Sequence, residues 1–141
     1  MKKLIFLIPL LFLISSCSNN NSGNNPLGAI GGGIGGGGTG NVTFTATLVQ
    51  DQNTQDSYFQ LTPSTNVTVE SATATCQQAG FNNEPVTGLD GTTIYSTTSP
   101  FYIGPVTNVV ATGQSWSFTI SGKIGGTTGS TYTANASTTI Q

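Results

Sequence analysis

Charge is what this chain has least of. Its 141 residues include three lysines and no arginine or histidine, set against five Asp and Glu. With so few cations there is no patch to neutralise a phosphate backbone, which excludes nucleic acid as a partner. The lack of histidine removes the commonest general base and metal ligand, so Ser-His-Asp and Cys-His chemistry are excluded too. Long apolar runs are also missing. The greasiest stretch, Leu4 to Ile14, is about ten residues, well short of the roughly twenty that a membrane-spanning helix needs, and Pro9 interrupts it. No segment sustains a helical period. What the chain has in quantity is Gly, Thr, Ser, Asn and Gln, so its solubility rests on uncharged hydrogen-bonding groups.

The first seventeen residues are ordered as charged, then apolar, then small. Lys2 and Lys3 precede Leu4 to Ile14, and Ser15 and Ser16 lead into Cys17. No A-x-A-like cleavage site of an ordinary secretory signal competes with that order. Ile14-Ser15-Ser16-Cys17 resembles the lipobox of bacterial lipoproteins. The resemblance implies that residues 1–16 are removed as a signal peptide, that Cys17 is acylated (palmitate-type chains on a diacylglycerol thioether) and that the mature protein stays on the membrane. Several acyl chains hold more firmly than one, at about 0.8 kcal/mol per buried methylene. Ser18 stands where an aspartate would resemble an inner-membrane retention signal, which implies the outer membrane of the cell envelope. Cleavage leaves one lysine, Lys123, against five acids. Once the lipobox takes Cys17, Cys76 is expected as a small buried apolar residue. If Cys17 were not acylated, a Cys17–Cys76 bridge would be the alternative.

Residues 17–40 hold almost nothing that could form a core. Such Gly/Asn-rich sequence behaves as a disordered coil with an end-to-end distance of about 25 Å, and is expected to be a tether. Two sharper readings of its glycines fail on context. Gly28, Gly32, Gly36 and Gly40 have the four-residue spacing of close-packed membrane helices, but without the apolar span these require. Gly33, Gly35 and Gly38 match G-x-G-x-x-G, but without a strand before and a helix after.

From Asn41 the pattern changes to period two. Val42, Phe44, Ala46 and Leu48 alternate with Thr43, Thr45 and Thr47, as in a half-buried strand. Strands are expected over Ser57 to Thr62, Val67 to Cys76, Thr92 to Ser96, Val106 to Ala111, Ser115 to Ile124 and Thr131 to Ile140. Turn sequences separate them, among them Asn82-Asn83-Glu84-Pro85, Asp90-Gly91 and Gly104-Pro105. About seven short strands at this spacing argue for a single antiparallel β-sandwich over residues 41–141. Trp116, Phe118 and Ile120 form one apolar row, and Tyr132, Ala134 and Ala136 return alongside. This stretch resembles the closing hairpin of immunoglobulin-like or fibronectin type III-like modules, which implies that Trp116 is a core aromatic. Because Cys76 precedes Trp116 and no second cysteine follows, an inter-sheet disulfide is excluded.

Candidate chemistry is sparse, and neither catalytic residues, a cofactor nor a metal site is assigned. Asp51, Asp56, Glu70, Glu84 and Asp90 are the only carboxylates for glycoside hydrolysis. Asp51, Asp56 and Asp90 are also the oxygens a calcium ion would need. Ser121 and Lys123 share a strand face, as a Ser-Lys dyad would. Each has a plainer reading as a loop or surface residue. Aromatic neighbours make the better case for binding. In each of the pairs Tyr58–Phe59 and Phe101–Tyr102 one ring must leave the core if the strand is regular, so all four are candidate contacts for an envelope protein or glycan. The resulting expectation is a non-catalytic interaction or structural module, with a surface carbohydrate-binding module as the alternative and a small hydrolase as a weaker third. A monomer is the default, although threonine-rich edges poor in charge can pair between copies.

Overall fold

Alternation in sequence becomes alternation in burial. The computed structural model describes residues 41–141, so the expected signal peptide, Cys17 and the expected tether lie outside the described residues. Eight strands follow one another: β1 (Phe44–Gln50), β2 (Ser57–Pro63), β3 (Val67–Cys76), β4 (Phe81–Pro85), β5 (Ile94–Tyr95), β6 (Phe101–Ile103), β7 (Ser115–Ile124) and β8 (Thr131–Thr139). A single 3-10 turn, Gln77–Ala79, is the one helical element among the described residues.

The strands form two antiparallel sheets. One has the order β1-β2-β6; the other has β4-β3-β7-β8, with β5 pairing the start of β3. The domain is therefore an all-β sandwich, as the sequence pattern predicts. Its core lies between the sheets and is aromatic at the centre. Phe59 of β2 meets Trp116 at 4.9 Å and Phe118 at 5.0 Å, both on β7, and Phe81 of β4 meets Trp116 at 5.1 Å. Tilted rings at these separations add about 0.5–1.5 kcal/mol per pair beyond the burial of their area. The Trp116 indole N–H, which needs a partner inside the core, donates to Gln114 Oε1 at 3.1 Å.

Three features depart from the sequence expectation. Val106–Ala111 is not a strand. Val106 is buried, and its carbonyl accepts from Val109 and Val110 N–H, so the chain curls there. Asn82 to Pro85, expected as a turn, lies in β4, an edge strand fixed by Phe81 in the core. The ladder shifts register between Ala74 and Cys76, where Asn83 takes the left-handed φ of 51° that asparagine tolerates and its N–H bonds Thr75 Oγ1. Phe101–Ile103 forms β6, a strand too short to show a period.

A second irregularity shapes the long sheet. The β3–β7 ladder pairs Val69 with Gly122 and Ser71 with Ser121, leaving Glu70 as the extra residue of a bulge. Next to it, Tyr132 of β8 reaches past Gly122 and donates its hydroxyl to Thr68 O at 3.0 Å. A Cβ at Gly122 would collide with that same carbonyl. The glycine is there for close backbone approach rather than for an unusual φ.

Candidate binding face

Parity decides which aromatic of each pair is available. Phe59 and Phe101 are fully buried, which corrects their reading as partner contacts: their rings are core. Tyr58 and Tyr102 take the opposite parity and lie half-buried on the outer face of the three-stranded sheet. Tyr102 pairs with Gln60, which pairs with Thr47, and Tyr58 pairs with Val49. Tyr58 is therefore a diagonal neighbour of Tyr102, a relation that places the two residues about 7–8 Å apart and their Cβ atoms somewhat closer. Beside Tyr58 runs the backbone of Gly104, where a Cβ would come within 2.8 Å of the ring. That close approach holds the ring against the sheet.

Both phenols are neutral at neutral pH, as any ordinary tyrosine is, and their surroundings only raise them further. Burial pushes Tyr102 above its ordinary value, and Tyr58 is pushed up by burial and then by the Asp56 and Asp51 carboxylates. Both hydroxyls are thus donors at neutral pH. With Thr45, Thr47, Gln60 and Thr62, also on this face, they make a surface of rings, hydroxyls and one amide, without a formal charge. Such a surface can stack on and hydrogen-bond a neutral polar ligand, and it offers nothing to hold a phosphate.

The other candidates are engaged locally. Asp51 Oδ1 accepts the Asn53 N–H at 2.8 Å and closes its own loop. Asp56 Oδ1 accepts from the Thr107 hydroxyl at 3.3 Å, and Thr107 Oγ1 accepts the Ser57 N–H at 2.8 Å, tying the segment after β6 to β2. Asp90 accepts from Thr92 and Thr93 N–H, both at 2.8 Å, and from the Thr93 hydroxyl at 2.6 Å, bonds that hold its carboxyl well below the usual range. Glu84 sits on β4 opposite Ala74. Glu70 pairs with Lys123 at 3.4 Å, while Ser121 exchanges a hydrogen bond with Thr133 rather than with Lys123. No group of three His, Cys, Asp or Glu side chains gathers as metal ligands among the described residues.

Cys76 is buried, as expected, and its thiol donates to Gln78 Oε1 at 3.4 Å. It forms part of an open depression with Thr75, Gln77, Gln78, Ser115 and Ser117. No helix among the described residues is long and apolar enough to cross a membrane. No protein-family model, curated protein or solved structure matches this chain.

Proposed function

We propose that this chain is a bacterial envelope lipoprotein in which acylated Cys17 anchors a non-catalytic immunoglobulin-like sandwich that works through contact of its surfaces. The observation that carries this reading is the order Lys2-Lys3, Leu4 to Ile14, Ser15-Ser16-Cys17, placed ahead of a glycine tract and a single β domain. The four-strand order β4-β3-β7-β8 supports the immunoglobulin-like part, since it resembles a C-F-G sheet extended by one strand. Ser18 after the cysteine supports the outer membrane as the address. Intact mass of the membrane-extracted protein tests the anchor. The expected species begins at Cys17 with added acyl mass and disappears in Cys17→Ala. An unacylated wild-type protein refutes it.

A second reading, a surface carbohydrate-binding module, is favoured by one observation: Tyr58 and Tyr102 lie on the same outer face, diagonal to one another across the Gln60–Tyr102 pair. Stacking rings contribute about 1 kcal/mol each, so Tyr58→Ala and Tyr102→Ala should each weaken retention on a neutral polysaccharide gel roughly fivefold. Equal retention of both variants and the wild type refutes the glycan reading and leaves the protein-contact reading standing.

A further inference from the structure

β8 is the free edge of the long sheet. Among the described residues it pairs with β7 and with no other strand. Two bonds fix which of its backbone groups are used, Ile124 N–H to Ser130 O and Ile140 N–H to Gln114 O, each 2.9 Å. In an antiparallel ladder these groups alternate. Tyr132, Ala134, Ala136 and Thr138 therefore bond β7, while Thr131, Thr133, Asn135, Ser137 and Thr139 aim their N–H and C=O away from it. All five of those residues are exposed, and among the described residues no hydrogen bond reaches their backbone groups.

Sheet edges left in this state are templates for another strand, and proteins normally blunt them with lysine, proline, a bulge or a short length. Of the other edges, β6 is three residues long and β4 carries Glu84, Pro85 and a bulge, while β1 lacks these devices but is shorter, at seven residues. Over its nine residues β8 has none of these devices.

We infer that β8 is the seam of a two-fold homodimer, in which the β8 strands of two copies pair antiparallel about an axis at Asn135. That register leaves no outward group unpaired. Thr131 faces Thr139 of the second copy, Thr133 faces its Ser137, and Asn135 faces its Asn135. Hydroxyl pairs of this kind are favourable across strands, and no like charges oppose one another. On the core side Ala134 and Ala136 face Ala136 and Ala134 beside the axis, small enough for the inner surface of the sheet to run on there, and Tyr132 faces Thr138 farther out. A two-fold seam uses the same strand from both copies, so the assembly closes at two. The inference is independent of the lipid anchor and of any glycan.

Sedimentation velocity of the purified full chain over a dilution series tests it. Wild type should sediment as a reversible dimer. Thr133→Lys/Ser137→Lys places lysines opposite lysines on the solvent side and should give monomer, as should Thr133→Glu/Ser137→Glu. Mixing the two variants should restore a dimer, which a misfolded variant cannot do. Asn135→Pro removes an outward N–H without touching the β7 ladder and should also give monomer, with an unchanged circular dichroism spectrum. A wild type that is monomeric at every concentration, a dimer that survives the lysine pair, a mixture that stays monomeric, or an open-ended polymer would each overturn the seam.

Discussion

Tyr132 and Gly122 act together at a single backbone carbonyl. The Tyr132 phenol is raised above its ordinary value, first by burial and then by the Glu70 carboxylate, because ionisation would place a negative charge in apolar surroundings and near another negative charge. A tyrosine that is harder to ionise in the fold contributes stability that is intact below its ordinary value of about 10 and is lost as pH rises further. Alkaline titration of the urea midpoint should show that loss, and Tyr132→Phe should remove much of it. At neutral pH the same variant should cost about 1–3 kcal/mol, since it leaves a buried acceptor without its donor. Gly122→Ala, which drives a methyl into that carbonyl, should cost about 3 kcal/mol in the same assay. The sequence places Tyr132 on the apolar row of its strand. The apolar row of β3 also slips by one residue, from Val67 and Val69 to Ala72, Ala74 and Cys76, which marks the bulge at Glu70, but no pattern in the sequence says where the hydroxyl goes.

Long strands announce themselves and short ones do not. β1, β3, β7 and β8 repeat their period often enough to be read from the alternation of their residues. β4 and β6 hide among Asn, Pro and Gly, residues that read as turns, and they exist because Phe81 and Phe101 have a core to enter. Val106–Ala111 shows the opposite error, an apolar spacing suggestive of a strand in a segment that in fact curls around the Val106 carbonyl. Elements with neighbours on both sides should also open last. In hydrogen exchange the amides of β3 and β7 should be slowest and those of β5 fastest. Within β8, the amides of Tyr132, Ala134 and Ala136 should exchange slowly in every variant. Those of Thr133, Asn135 and Ser137 should be slow in wild type and fast in Thr133→Lys/Ser137→Lys. Uniformly fast exchange along those three residues in wild type would contradict a paired edge.

At the scale of the whole domain, one ion pair, Lys123 with Glu70, is the only salt bridge among the described residues, and exposed pairs of this kind contribute about 0–1 kcal/mol. Cohesion therefore comes from the aromatic core and the ladders. The candidate binding face is half legible in the sequence. Adjacent aromatics guarantee that one leaves the core, but only the pairing register says that it is Tyr58 and Tyr102, and that the two share a face. The same register sets direction. β1 and β8 both begin at the pole where Phe44 meets Tyr132, ring centroids 6.0 Å apart. Antiparallel pairing of β8 with its copy turns one domain end over end, so the two Asn41 ends point away from each other. If Cys17 anchors each copy as proposed, the two roots would leave the dimer from opposite poles, like the halves of a clasp.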